Sequence, residues 1–237
     1  MDTTTQYYDK ESSSYSHKRY DGQLLTYVQF LFRQRLSIFL DYLTTILSDK
    51  TDNLSLIEIG CADGIIIRKV LEYFPERWER IVGLDISEEM LKEARRRTNN
   101  PLVFFQIRNG EGLRPTDIVI RLGVHTPNLE EEIEYIKKIL KPGGYVFYSV
   151  GSKKSLHVRF KLKNAPYVKD YLTYNKYDER FSKEFDLVNS KVYGFFVPKL
   201  WTFPNIARVV QPIFEFIFRH FTPELYHEKI YLLRLKR

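Results

Sequence analysis

The period of the hydrophobic positions changes twice along the chain, and each change marks a new kind of element. Residues 1–20 are rich in Ser, Thr and Tyr and carry no sustained apolar period, which predicts a mobile arm or lid. From Leu24 to Leu47 apolar residues return at helical spacing (Leu24, Leu25, Val28, Phe32, Leu36, Phe39, Leu40, Leu43, Ile46, Leu47), predicting one helix or a broken pair. SDKTDN then supplies a turn. Over the next hundred residues or so the apolar runs SLIEIG, RIVGLD, PLVFFQI, TDIVIRL and YVFYSV alternate with the helical stretches IIIRKVLEYF, SEEMLKEARRR and NLEEEIEYIKKIL. The second of these helices opens on Ser87 as an N-cap with two acids in its first turn, where the helix dipole favours negative charge. Strands apolar on both faces, alternating with helices, predict an α/β fold with a parallel sheet covered on both sides.

After Gly151 the elements become less regular, and half of the chain's aromatic residues fall in this last third. VYGFFVP and the closing EKIYLLRLKR read as two strands around PNIARVVQPIFEFIFRHF, a helix with Pro204 near its start and a kink at Pro212. The connection is short, so both strands should join the same sheet, the last one antiparallel to its neighbours.

Composition narrows the classes that fit. The 237 residues, 43% hydrophobic and 28% charged, suit one domain over 1–237, divided into an N-terminal arm and helices (1–48), a core (50–150) and a C-terminal third (151–237). A single cysteine, Cys61, excludes an internal disulfide framework and a multi-cysteine zinc site, so no metal is expected. Without an apolar run of transmembrane length, and with a polar start, the chain is expected to be cytoplasmic, peripheral at a membrane at most. The formal charge of +7 suits anionic partners, whether nucleic acid, a phospholipid surface or a phosphorylated acceptor, and plain solubility equally well.

The chemistry centres on Leu56 to Gly64, LIEIGCADG, a strand running into a glycine-rich turn that opens a helix. Such a turn places backbone N–H groups and the positive helix end at the carboxyl edge of a sheet. A dinucleotide fingerprint would need glycines at Ala62 and Ile65 and fails at both. The residues Glu58, Gly60, Ala62 and Gly64, with Cys61 between them, instead match the acidic-x-G-x-G-x-G loop of class I S-adenosylmethionine-dependent methyltransferases, alanine replacing the central glycine. Four further segments resemble that family in order and spacing. IVGLDIS puts Asp85 at the end of the second strand, followed by Ile86, where a carboxylate can accept hydrogen bonds from a ribose diol. VFFQIRNGEGL aligns Asn109, Gly110 and Glu111 with the adenine-binding segment. TDIVIRLGVH matches the fourth strand, and LKPGGYVFYSV the Pro-Gly-Gly turn and fifth strand.

The resemblance, closest to methyltransferases of the ubiquinone and menaquinone biosynthesis type, implies a Rossmann-like seven-stranded sheet with helices on both faces and an antiparallel last strand. It also implies an N-terminal helical arm, an aromatic-rich insertion before the last two strands, and S-adenosyl-L-methionine as cofactor. Tyr15 and Arg19 in the arm would close over that cofactor. Arg121 departs from the small or polar residues usual at its place; contact with the cofactor's carboxylate, with an anionic acceptor, or with an acid on a neighbouring loop would each account for it. If the acceptor is a hydroxyl, His125 or His157, beyond the fourth and fifth strands, would be the general base. The acceptor itself is expected to be a small molecule or lipid-linked, methylated at oxygen or carbon and met by the aromatic region after Gly151, with peripheral membrane contact through 204–221. Two other functions stay open. An RNA or DNA methyltransferase suits the charge, although the Asn/Asp-Pro-Pro-aromatic motif for base amines is missing and Cys61 is unavailable for covalent attack. A catalytically silent S-adenosylmethionine-binding interaction module is the other. The sequence says nothing of oligomeric state.

Overall fold

A computed structural model describes residues 9–48, 52–108, 112–162, 166–220 and 222–237. The chain begins with the short helix α1 (Tyr15–Arg19) and the long helix α2 (Tyr27–Ser48). The alternating core follows as β1 (Leu54–Ile59), α3 (Ile65–Tyr73), β2 (Trp78–Asp85), α4 (Glu88–Arg97), β3 (Val103–Ile107), β4 (Thr116–Arg121), α5 (Leu129–Ile139) and β5 (Leu140–Gly151). The last third supplies α6 (Tyr174–Glu184), β6 (Phe185–Tyr193), α7 (Pro204–Phe218) and β7 (Glu228–Leu235).

The strands form one seven-stranded sheet in the order β3-β2-β1-β4-β5-β7-β6. The first five are mutually parallel, and β7 runs antiparallel to both β5 and β6. Side chains alternate across the pleat. On one face Leu56, Ile118, Ile120 and Phe147 pack beneath α2 and α3; on the other, Ile57, Ile59, Val119 and Val146 meet α5 and α6. This two-sided burial is why the core strands read as continuous apolar runs. Ser87 caps α4 as expected, its side chain accepting from Met90 N–H, and Asn128 caps α5 by accepting from Glu131 N–H.

One expectation needs correction. The sixth strand is Phe185–Tyr193 and takes in only Val192 and Tyr193 of VYGFFVP; Gly194, with φ of +77°, turns the chain out of the sheet, and Phe195 and Phe196 are buried beyond it. The Pro-Gly-Gly turn follows the end of α5 at Ile139: pairing jumps from Thr116 with Leu140 to Ile118 with Tyr145, so residues 141–144 bulge before regular pairing of β5 resumes. The described part of the arm is helical, as the resemblance implies, and Tyr15 and Tyr20 pack on the core. No helix among the described residues is long and apolar enough to cross a membrane.

Candidate functional site

Topology brings the ends of β1, β2, β4 and β5 to one edge of the sheet, and because β7 runs antiparallel, its start faces the same way: Glu228 pairs with Gly151 and with Tyr193. Two clusters of polar side chains sit along this edge.

The first surrounds the glycine turn. Gly60, Ala62 and Gly64 have φ of +74°, +47° and +75°. Ala62 thus keeps a left-handed backbone that normally favours glycine, so the alanine substitution has not changed the path of the loop. A Cβ on Gly60 would collide with Val124 just beyond β4, which explains why that position tolerates no side chain. The turn is pinned to β2, since Gly60 N–H and Cys61 N–H both donate to Leu84 O, at 2.7 and 3.0 Å. Asp85 accepts from Ala62 N–H at 2.8 Å and from Ser87 N–H at 3.0 Å. Burial raises its carboxyl above the usual range, against the lowering effect of those amides. Ile86 beside it is exposed.

Glu58 is buried with Oε2 unpartnered. Burial, and then the neighbouring Asp85 and Asp63, push its carboxyl well above the usual range. An unpaired buried carboxylate is costly unless a cation meets it. Cys61 is buried, and its thiol is raised well above normal by burial first, which makes it a packing residue with no thiolate to offer. Asn109, Gly110 and Glu111, the expected adenine segment, lie outside the described residues.

Asp63, within the turn, was not singled out by the sequence. It is fully buried and joins the turn to the arm: it accepts from Ser16 N–H and Ser16 Oγ–H and from Arg97 Nη1 at 2.8 Å. Arg97 also donates to Ser13 O, and Ser87 Oγ donates to Asp9. Tyr15 and Arg19 are therefore carried close to this loop, but Arg19 stacks on the Tyr15 ring at 4.1 Å and pairs with Glu11 at 2.6 Å.

Arg121 is fully buried, and all three of its guanidinium nitrogens meet protein acceptors: Glu132 Oε1 at 2.8 Å, Val124 O at 3.0 Å and His125 O at 3.0 Å. Its ring-facing side lies over Tyr148. Of the three roles open to it, pairing with an acid describes this geometry, the acid standing on α5 and not on a loop. Arg121 braces the loop after β4, and nothing places it in contact with a cofactor.

The second cluster gathers at the far end of the edge. Arg35 of α2 is buried and donates from Nε and Nη2 to the two oxygens of Glu228, at 3.1 and 2.6 Å. Tyr193 OH joins the same carboxylate. Burial alone would raise the Glu228 carboxyl, but the Arg35 charge together with the hydrogen bonds from Arg35 and Tyr193 holds the group low. The guanidinium lies so near Gly123 that a Cβ there would clash. Next to this pair, His157 Nδ1 and His227 Nε2 are 3.1 Å apart, and Tyr27 stacks on His227 with centroids 6.1 Å apart and planes 9° off parallel. Burial lowers the His157 imidazole to about 4 and that of His227 to about 3, so both are neutral near pH 7. His125 stands apart from them, 3.2 Å from Asp170. Arg35 was missed from sequence, and His227 ranks there below His125 and His157; only its place one residue before an antiparallel strand could have put it at this edge.

The aromatic insertion divides differently from the expectation. Tyr174, Tyr177, Phe181 and Phe185 are buried in the core beside α5. Tyr27, Phe30 and Phe196 form a separate apolar group with Leu24, Leu156 and Trp201 packed on it, close to the histidine pair.

The methyltransferase domain family matches residues 27–184. Over 63 residues the chain is 36% identical to a juvenile hormone acid O-methyltransferase of Bombyx mori, covering 27% of this chain and 23% of that protein. Over 132 residues it is 26% identical to a ubiquinone biosynthesis O-methyltransferase of Azoarcus sp. strain BH72, covering 52% of this chain and 55% of that one. The chain thus spans about half, or less, of the length of the curated relatives it matches. Its fold matches that of magnesium protoporphyrin IX methyltransferase from Synechocystis PCC 6803, solved with bound S-adenosylhomocysteine, with TM-score 0.64, 14% identity and coverage of 99% and 100% of the two chains.

Proposed function

This chain belongs to the methyltransferase domain family, and from that membership we propose that it transfers a methyl group from S-adenosylmethionine to an apolar or lipid-linked small molecule, at oxygen or carbon. The observation that carries the cofactor is the glycine turn with Glu58 beneath it, a buried carboxylate lacking a partner on Oε2. The cofactor is cationic at sulfur and at its amino group, and either charge would favour the ionised form of that carboxyl, which burial and the neighbouring Asp85 and Asp63 otherwise disfavour. Asp85, already fixed by Ala62 and Ser87 N–H, would receive the ribose hydroxyls. Gly60, Cys61, Ala62 and Gly64 would form the floor, with Ile86 toward the base.

The sulfonium supplies a methyl group already activated toward a lone pair. The chain's own task is to hold the acceptor in line and keep water away. Tyr27, Phe196 and the histidine pair at the β5–β7 end support an apolar acceptor seated there. With Nδ1 engaged by His227, His157 has Nε2 to take the proton of an acceptor hydroxyl. An imidazole held this low is a weak base, so an acceptor oxygen already ionised, such as a carboxylate, suits the site better. The two O-methyltransferase relatives support oxygen over carbon. Membrane contact through 204–221 belongs to the same reading.

Incubation with methyl-labelled S-adenosylmethionine and separate lipid, polar-metabolite and RNA fractions tests it. Label should enter the lipid fraction. Label in RNA would establish a nucleic-acid enzyme instead, and binding without turnover in any fraction a silent module.

A further inference from the structure

The helix α7 (Pro204–Phe218) is inside out. Its polar residues Gln211 and Glu215 are buried: Gln211 Nε2–H donates to Phe195 O, and Glu215 accepts from Phe195 N–H, so both serve the chain as it leaves β6. Ala207 is buried and Phe214 and Phe218 pack on the core, but the other apolar side chains include a row that faces water. Phe216 is 72% exposed, Val209 66%, Ile206 56% and Ile213 53%, and their spacing of three and four puts them on one stripe. The stripe continues beyond the helix. Phe203 at its head is exposed, and Arg208 Nε donates to Leu24 O, which brings the exposed Leu25 and Val28 alongside.

A contiguous apolar face of this kind is a contact surface for something, and its charge says what. From Phe196 to His220 the ionisable side chains are Lys199, Arg208, Glu215, Arg219 and His220, and the one acid among them is the buried Glu215. Within this segment the exposed charge beside the stripe is therefore cationic, with the nearby acids Asp178 and Glu224 set in the pocket that Arg219 and His220 line. A second copy of this chain would set cation against cation. An anionic bilayer offers both an apolar interior for the stripe and negative headgroups for Lys199, Arg208 and Arg219.

We propose that α7, with Phe203 and the start of α2, is a docking surface that lies in the headgroup region of an anionic phospholipid bilayer. The helix would lie parallel to the membrane plane, apolar stripe down, while Gln211 and Glu215 keep it fastened to the sheet. The same surface adjoins the apolar group of Tyr27, Phe30, Phe196 and Trp201, so an acceptor leaving the bilayer would reach the His157–His227 end of the sheet edge without crossing water. The docking deepens the proposed function and rests on it for this consequence alone.

Sedimentation with phosphatidylcholine vesicles, with and without phosphatidylglycerol, tests it directly. Wild-type protein should bind the anionic vesicles at least about tenfold more tightly than the neutral ones, less so at high salt. The double variant Val209→Asp, Phe216→Asp should lose at least about tenfold in that binding. Both positions are exposed, so its melting temperature and its affinity for S-adenosylhomocysteine should match wild type. Absence of wild-type binding to anionic vesicles would overturn the proposal, as would equal binding by the variant. So would a dimer, seen by analytical ultracentrifugation, that the variant dissolves while vesicle binding persists. Failure to bind S-adenosylhomocysteine in wild type would count against the methyltransferase reading and leave the docking result standing.

Discussion

Two residues at the sheet edge make opposite demands on their environment. Asp85 holds the glycine turn through Ala62 N–H and is proposed to take the ribose diol. Asp85→Ala should weaken S-adenosylmethionine binding by about 1.5–3 kcal/mol, read by calorimetry; unchanged affinity would remove it from the site. His227 is buried, pressed against His157 and neutral. In the unfolded chain its imidazole takes up a proton near pH 6.5, whereas in the folded chain it resists protonation down to about pH 3. Between those values the unfolded state binds more protons, so the stability is full above pH 6.5 and falls as the pH drops. The loss is on the order of 1 kcal/mol per pH unit. Thermal melts between pH 7 and pH 5 should show a smaller drop for His227→Gln than for wild type; identical drops would mean that the pair is not the acid-sensitive element. Legibility at this scale followed local pattern. Gly60, Ala62, Gly64 and Asp85 were readable because a strand end and a tight turn fix their geometry locally. Arg35, His227 and Glu228 were not, because they meet only through pairings nearly two hundred residues apart or across strands.

Among the elements, the helices and strands of the core were readable from apolar period because burial on both faces leaves no polar interruption. How the N-terminal arm is anchored was not readable, for the opposite reason. Beside the packing of Tyr15 and Tyr20, it is held by Ser16, Asp63 and Arg97, polar contacts that no hydrophobic pattern reveals. Arg97→Ala removes the cation beside a fully buried carboxylate and should loosen the arm. Hydrogen exchange over residues 9–20 should speed up at least about tenfold in the variant, and S-adenosylhomocysteine should slow it in wild type if the arm closes on the cofactor. Equal exchange with and without ligand would leave the arm a structural brace only. The helix α7 was readable as a helix, but not as inverted, since the reason Gln211 and Glu215 turn inward is the backbone of Phe195. Burial raises the Glu215 carboxyl to about 7, against the lowering effects of Phe195 N–H, Gln211 and the Arg219 charge.

At the scale of the molecule, the sheet order and the antiparallel β7 place the glycine turn at one end of a single edge and the Arg35–Glu228 and His157–His227 pairs toward the other. The match over residues 27–184 covers the first of these and reaches no further than α6. The end proposed for the acceptor is built from α2 and from the strands that follow the match, and composition alone could not divide the aromatic residues there: Tyr174, Tyr177, Phe181 and Phe185 join the core, whereas Phe196 and Trp201 join the group around Tyr27. The central claim is that the turn over Glu58 receives S-adenosylmethionine. Isothermal titration of the purified chain with S-adenosylmethionine and, separately, with NADH measures that most directly. The account predicts micromolar binding of S-adenosylmethionine, roughly −8 kcal/mol, and none of NADH; binding of NADH with no response to S-adenosylmethionine would contradict it.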